Sequence, residues 1–184
     1  MNKRKKVRKR ITGRIKVPLV VPETPNDTWS MDFMHDALMN GRKFRTLNVI
    51  DDFNREALTI EAYFSIGSNK VVTVLEKLIR EKGKPRMIRV DNGPEFISTI
   101  LGDWCSDKGI KLHFIQPGKP NQNSYIERFN RSYRDGVLDI HLFEDLHQVR
   151  YYTDIFREDY NVYRPHESLN DVSPINYKRL KCNV

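Results

Sequence analysis

Three runs rich in β-branched and aromatic residues, "TWSMDFMHD" at 28–36, "KFRTLNVIDDF" at 43–53 and "EALTIEAYF" at 56–64, follow one another with only short turns between them. Strands so closely joined pair as antiparallel hairpins. The pattern then changes. "SNKVVTVLEKLIREKGKP" places apolar residues at 71, 74, 75 and 78, with Ser68 as a candidate N-cap and Gly83 at the stop, and so predicts a helix. "RMIRV" reads as a short strand, "STILGDWCSDKG" as a helix and "KLHFI" as another strand, before two segments of helical periodicity, "NQNSYIERFNRSYRDGVLD" and "EDLHQVRYYTDIFREDYNVY". The order βββαβαβαα predicts an α/β domain built on a mixed five-stranded sheet with helices on its faces.

Charge divides the chain in two. The net charge of +8 belongs to the first sixteen residues, which hold nine Lys or Arg, Lys3, Arg4, Lys5, Lys6, Arg8, Lys9 and Arg10 among them, and no acid. The other 168 residues hold 23 basic and 24 acidic side chains, a net of −1. Such an arm suits a polyanion, and for an intracellular chain nucleic acid is the first candidate. "VPLVVPETPND" carries three prolines and reads as an extended linker. The expected organisation is therefore an arm and linker over 1–27 and a domain over 28–184 that ends in a helical extension. Cys105 and Cys182 lie 77 positions apart and the five histidines are scattered, which gives neither zinc spacing nor a disulfide framework and fits a reducing cytoplasm. No apolar run approaches the ~18 residues of a membrane span, and the basic start lacks a signal-peptide core, so a soluble cytoplasmic protein is expected.

The carboxylates raise the question of chemistry. In "RVDNGPEF", Asp91 stands beside an Asn-Gly pair, the vocabulary of a tight turn in which Asn and Gly accept positive φ. In the expected sheet, Asp32 lies in the first strand and Asp91 at the carboxyl end of the fourth, where α/β sheets gather their ligands. Glu127 comes from a helix packed nearby. The 58 residues between Asp32 and Asp91 and the 35 between Asp91 and Glu127 decide nothing alone in a chain with 24 acids. Around Glu127 the pattern says more: Ile126, Phe129, Tyr133 and Val137 form one apolar stripe, and Glu127 shares a sector about 100° round from it with Asn123, Arg131 and Arg134. Two readings fit. One is an exposed helix face with ordinary i,i+4 ion pairs; the other is a metal-binding carboxylate framed by Asn123, Arg131 and Arg134 as DNA contacts. Asp51 and Asp52 read as turn-shaping, Glu95 as a charge at a helix start, and Glu76 as surface. Tyr125 and the group Tyr151, Tyr152, Phe156, Tyr160 and Tyr163 read as helix packing.

Taken in order, "WSMDF", "RVDNGPEF", "QPGKPNQNSYIERFNRSYRDGVLD" and "YNVYRPHESLNDVSP" strongly resemble the catalytic core of the integrase superfamily, specifically transposases of two-frame bacterial insertion sequences. The resemblance implies a ribonuclease H-like fold and a DDE acidic triad falling on Asp32, Asp91 and Glu127, with a basic residue seven positions later on Arg134. It further implies two Mg²⁺ ions, with Mn²⁺ able to substitute, cleavage and joining of DNA strands, and DNA partners in the form of element ends and target. An upstream-frame helix-turn-helix product or an N-terminal segment would recognise those ends, and the protein would self-associate. Two rival readings stay open on sequence: a ribonuclease H-like nuclease that only hydrolyses, for which a fourth acid is expected on the first helix where Glu76 lies, and a non-catalytic DNA-binding remnant.

Overall fold

Alternation along the first strand sets the architecture. In β1 (Thr28–Ala37), Trp29 and Met31 enter one hydrophobic cluster, while Met34 enters the other and Ser30 and Asp32 share its side of the pleat. The computed structural model describes residues 22–116 and 120–182, so the arm with Lys3 to Arg10 lies outside the described residues. β2 (Lys43–Asp51) and β3 (Ala57–Tyr63) continue the hairpins, and β4 (Met87–Val90) and β5 (Lys111–Phe114) add on the other side in the order β3-β2-β1-β4-β5. β1 pairs antiparallel with β2 and parallel with β4, and β4 parallel with β5. The expected mixed five-stranded sheet is formed, with β1 at its centre.

Each face is closed by a helical pair. α1 (Ser68–Lys82) and α2 (Thr99–Asp107) bury Val71, Val74, Leu75, Leu78, Leu101 and Cys105 against Trp29, Met31, Leu47, Val49 and Ile88. Burying a side chain of this size contributes about 1.5–3 kcal/mol, so this layer outweighs any single polar contact. On the opposite face, α3 (Ser124–Tyr133) and α4 (Leu146–Glu158) pack on Met34, Phe44, Ile50 and Ile60, and the stripe Ile126, Phe129, Tyr133 and Val137 is buried as its spacing requires. α1 is capped by Gly67 rather than by Ser68, whose hydroxyl instead donates to the Glu95 carbonyl at 2.8 Å.

Two features go beyond the expected pattern. α3 and α4 each run on into a five-residue π-turn, Arg134–Leu138 and Asp159–Tyr163. Gly136 lies in the first of these turns because a Cβ there would stand 3.1 Å from the ring of Phe156. A further helix, α5 (Pro174–Cys182), extends the expected element order. Asn54 Nδ2 donates to the Pro174 carbonyl at 3.0 Å, Lys178 reaches the buried Glu56 at 3.4 Å, and Tyr177 packs on Phe53 with ring centroids 5.6 Å apart. Asn26 and Asp27, at the end of the expected linker, are bonded into the domain: Asn26 Nδ2 donates to the Lys82 carbonyl at 2.8 Å and Asp27 pairs with Arg86 at 2.6 Å.

Candidate active site

Asp32 occupies the middle of the central strand, opposite Asn48 of β2 in the antiparallel register. On its other side Ser30 pairs with Arg89 in parallel, and the same register carried two residues further sets Asp32 level with Asp91, the first residue beyond β4. Neighbouring strands lie about 4.8 Å apart, so the sheet carries these two acids toward one region of its edge. α3 crosses the same face and presents Glu127, exposed, in its first turn. Burial pushes the Asp32 carboxyl up to about 6, against bonds from the Phe33 N–H and the Asn130 amide, and the negative charges of Asp91 and Glu127 add to the rise. The three acids therefore share one electrostatic field.

Asp32 is held in place by residues that the motif reading did not single out. Asn130 Nδ2 donates to Asp32 Oδ2 at 2.8 Å, and Asn130 Oδ1 accepts from Asn48 Nδ2 at 2.7 Å. Both asparagines are buried. A polar residue inside the apolar stripe of α3, and another in the apolar run of β2, were the available signals, because a buried amide needs partners. The other Asp32 oxygen accepts from the Phe33 N–H at 2.7 Å.

The turn after β4 is built differently from the expectation of positive φ. Neither Asn92 nor Gly93 adopts it. Instead Asp91 Oδ1 accepts the Gly93 N–H at 2.9 Å, an Asx turn, and a Cβ at position 93 would sit 2.9 Å from the same oxygen. Glycine is needed there for close approach to the carboxylate. Asn92 Nδ2 donates to the Ile115 carbonyl at 3.1 Å and so ties the turn to the end of β5.

The sector of α3 expected to carry DNA contacts divides. Arg131 is exposed, but Asn123 is only 3% exposed, and its Oδ1 finds no partner among the described residues. Arg134 donates to the His35 carbonyl at 3.0 Å and faces Asp139 at 3.3 Å and Asp36 at 3.5 Å, which fastens it to the end of β1. Glu95 is not a helix-start charge: α2 is capped by Ser98, and Glu95 forms an ion pair with Arg45 that holds its carboxyl below the usual range. Arg45 lies 4.2 Å above the Phe33 ring, which stacks on Phe96 at 4.7 Å, so the loop after Asp91 is pinned to β1 and β2. Asp51 shapes its turn by accepting from Asn26 N and Phe53 N, at 2.8 and 2.9 Å. Asp52 forms a buried pair with Arg89 at 2.5 Å. Glu76 accepts from Trp104 Nε1 at 3.4 Å, between α1 and α2 and on the face of the sheet away from Asp32. Of the aromatic group, Phe156 and Tyr160 are buried packing residues, whereas Tyr151 and Tyr163 are 58% and 70% exposed.

The donors of this site are carboxylate oxygens, the type that Mg²⁺ and other hard cations prefer. Among the described residues no three His, Cys, Asp or Glu side chains already surround a common point where an ion could sit. The three acids are neighbours in field rather than a finished cage. Among the same residues no helix is long and apolar enough to cross a membrane.

Comparison with known proteins fits this geometry. Two family models, each described as Integrase core domain, match residues 22–120 and 108–174. The chain is 44% identical to the "Insertion element IS407 uncharacterized 31.7 kDa protein" of Burkholderia multivorans over 156 residues, 85% of this chain and 56% of the relative. It is 41% identical to the "Insertion element IS476 uncharacterized 39.2 kDa protein" of Xanthomonas euvesicatoria over 187 residues, 100% of this chain and 54% of the relative. The chain thus spans about half the length of these curated relatives. The solved HTLV-2 integrase catalytic core domain in complex with magnesium, in its dimeric form, superposes with a TM-score of 0.66 at 19% identity, over 84% of this chain and 97% of that one. That likeness shows the fold, which is ribonuclease H-like. With both models matched in sequence order and insertion-element proteins above 40% identity, the chain belongs to the integrase core domain family.

Proposed function

We propose that this chain is the catalytic domain of an insertion-sequence transposase, which cleaves and joins DNA strands with Asp32, Asp91 and Glu127 as its metal-binding triad. The observation that carries the reading is the Asp32 carboxylate, half-buried in the central strand and held by the Asn130 amide at 2.8 Å, with the charges of Asp91 and Glu127 close enough to help raise it to about 6. Three acids from a strand, a strand end and a helix that repel one another are costly unless a cation joins them. When bound, two divalent ions, Mg²⁺ with Mn²⁺ as a substitute, supply activation of the entering oxygen and stabilisation of the leaving one. Asp32, Asp91 and Glu127 would hold these ions, Glu127 from the exposed first turn of α3. In the first step water forms a bond to phosphorus and the 3′ oxygen leaves, which yields a 3′ hydroxyl and a 5′ phosphate. In the second that hydroxyl attacks a target phosphodiester, whose own 3′ oxygen departs, so one P–O bond forms for each one broken.

The solved neighbour named above is a magnesium complex in a dimeric form, which supports metal use and self-association as part of the same proposal. End recognition is assigned to a helix-turn-helix product of an upstream frame or to a further N-terminal segment, consistent with relatives of which the match covers only 56% and 54%. The test is joining of a pre-cleaved DNA end, bearing a free 3′ hydroxyl, to target DNA in Mg²⁺ or Mn²⁺. Asp32→Asn, Asp91→Asn and Glu127→Gln should each reduce joining to background, while Asp103→Asn on the exposed side of α2 should not. A triad variant that joined DNA at the parent's rate would remove that residue from the set.

A further inference from the structure

On the flank of α3 beyond Arg128, a cleft of about 380 Å³ separates the helix from the turn that follows Tyr163. Its most buried charged residue is Arg55, from the β2–β3 turn, which is 7% exposed and adopts a left-handed φ of 62°. A side chain rarely takes that conformation without a reason. The Arg55 guanidinium lies 3.5 Å over the Tyr125 ring, and its hydrogen bond is a long one, 3.4 Å to the Phe53 carbonyl. Among the described residues no carboxylate forms a salt bridge with it, though it adds to the positive charge felt by the buried Asp52, and Arg55 is one of the residues that line the cleft. Arg128, exposed on α3, likewise has no carboxylate partner among the described residues. Arg164 lines the far wall and is held by Asp159 at 3.1 Å. His166 reports this convergence: burial, and then the charges of Arg164, Arg128 and Arg55, hold its imidazole below the usual value. Glu167 and Asp171 stand at the mouth and limit the attraction for anions.

The cleft is connected to the candidate active site around one helix. At 100° per residue, Arg131 lies about 40° and Arg128 about 100° round from Glu127, both on the exposed side of α3. Glu127, Arg131 and Arg128 therefore form a continuous path that ends at the mouth of the cleft. Two guanidiniums without a carboxylate salt bridge among the described residues, one of them laid on an aromatic ring, are the chemistry that holds a backbone phosphate.

We propose that this cleft binds a backbone phosphate of the DNA strand that crosses α3 from the candidate active site, with Arg55 and Arg128 as its ligands and Tyr125 as the ring on which Arg55 is laid. The inference rests on the reading of DNA as substrate, but it does not depend on the triad.

The test measures binding of the full chain to a short labelled duplex in EDTA, where no chemistry occurs, at a series of salt concentrations. Arg128→Ala should weaken binding and reduce the magnitude of the slope of log K against log salt by about 0.9. Glu167→Gln should tighten binding, a gain that a merely structural role would not give. Arg157→Ala, on α4 outside the cleft, should match the parent, and the contribution of the basic arm is common to all variants. Arg55→Lys keeps the charge and loses the flat face; should it fail to fold, Arg128 and Glu167 still carry the test. Asp32→Asn, measured alongside, should bind DNA while failing to join it, which separates loss of the cleft from loss of the chemistry. Parent-like affinity and slope for Arg128→Ala would overturn the proposal. So would a parent whose melting temperature rises in inorganic phosphate while Arg128→Ala leaves DNA affinity unchanged, since the cleft would then take a free anion.

Discussion

Asn130 stands between two partners, giving its amide to Asp32 at 2.8 Å and taking the amide of Asn48 at 2.7 Å. The relay joins α3 to β1 and β2 and fixes the plane of the Asp32 carboxylate. Asn130→Leu leaves the buried Asn48 amide without its acceptor and takes one of two hydrogen bonds from the half-buried Asp32, and should cost about 2 kcal/mol in urea unfolding. Asn130→Asp should cost more, because it sets a second carboxylate against Asp32, and added Mg²⁺ should recover part of the loss. A parent-like midpoint for both variants would show that the relay does not hold Asp32.

The elevated Asp32 carboxyl gives a pH dependence of defined sign. Its folded value of about 6 lies above the ordinary 3.8, so the unfolded chain ionises first. Below pH 4 the group is neutral in both states and costs nothing; between pH 4 and 6 stability is lost as pH rises through the folded value. A rise of this size corresponds to about 3 kcal/mol. In EDTA, Asp32→Asn should therefore melt with the parent at pH 4 and progressively above it toward pH 7. Mg²⁺ should close that gap by stabilising the parent.

Gly93→Ala isolates the Asx turn. A Cβ placed 2.9 Å from Asp91 Oδ1 must displace the carboxylate or the loop. Strand joining should fall to near background while the melting temperature stays within a few degrees of the parent's, because the loop is partly exposed and the adjoining Phe96 remains buried. Full joining by the variant would show that Asp91 need not be held in this orientation.

Asn161 tests the last motif as a structural clamp. Its Oδ1 accepts the Ala57 N–H at 2.8 Å and its Nδ2 donates to the Ala57 carbonyl at 3.0 Å, next to the irregularity where β2 and β3 shift register. Asn161→Ala leaves both backbone groups without a partner and should destabilise the fold by about 3 kcal/mol in chemical unfolding. Joining activity below the melting temperature should persist. Loss of activity without loss of stability would contradict this assignment.

The basic arm should supply most non-specific DNA affinity, since it holds nine cations while the remaining 168 residues carry a net of −1. Deleting residues 1–16 should reduce the magnitude of the salt slope by about 4 on duplex DNA if half the cations touch phosphate. An unchanged slope would place that affinity on the domain.

The strands were readable because β-branched and aromatic residues alternate within them, and the order of the sheet followed from hairpins succeeded by βα units. Asp32, Asp91 and Glu127 were readable only as parts of longer motifs. Asn130 and Asn48 escaped notice because one lies within the apolar stripe of α3 and the other within the apolar run of β2, where pattern recognises the neighbours and passes over the exception. Arg134 is exposed by periodicity yet fastened to the His35 carbonyl, a contact 99 positions away that no helical wheel contains. α5 has almost no amphipathic pattern; Ser173 followed by Pro174 was its one local signal, and its place is fixed by Asn54, Glu56 and Phe53. The Arg55 cleft gathers residues from a strand turn, a helix and a late loop, so only the folded chain assembles it.

The turn between β2 and β3 takes its partners from far ahead in the chain. Asn54 bonds Pro174, Glu56 meets Lys178 and Ala57 is held by Asn161, across separations of 120, 122 and 104 residues. A chain emerging from the ribosome amino end first has made the central hairpins long before those partners exist. Contacts of such range are slow to form and leave the early strands exposed meanwhile. A product broken off before residue 161 would keep all three acids of the candidate site and all five strands, but it would lack the three contacts that hold the turn between β2 and β3.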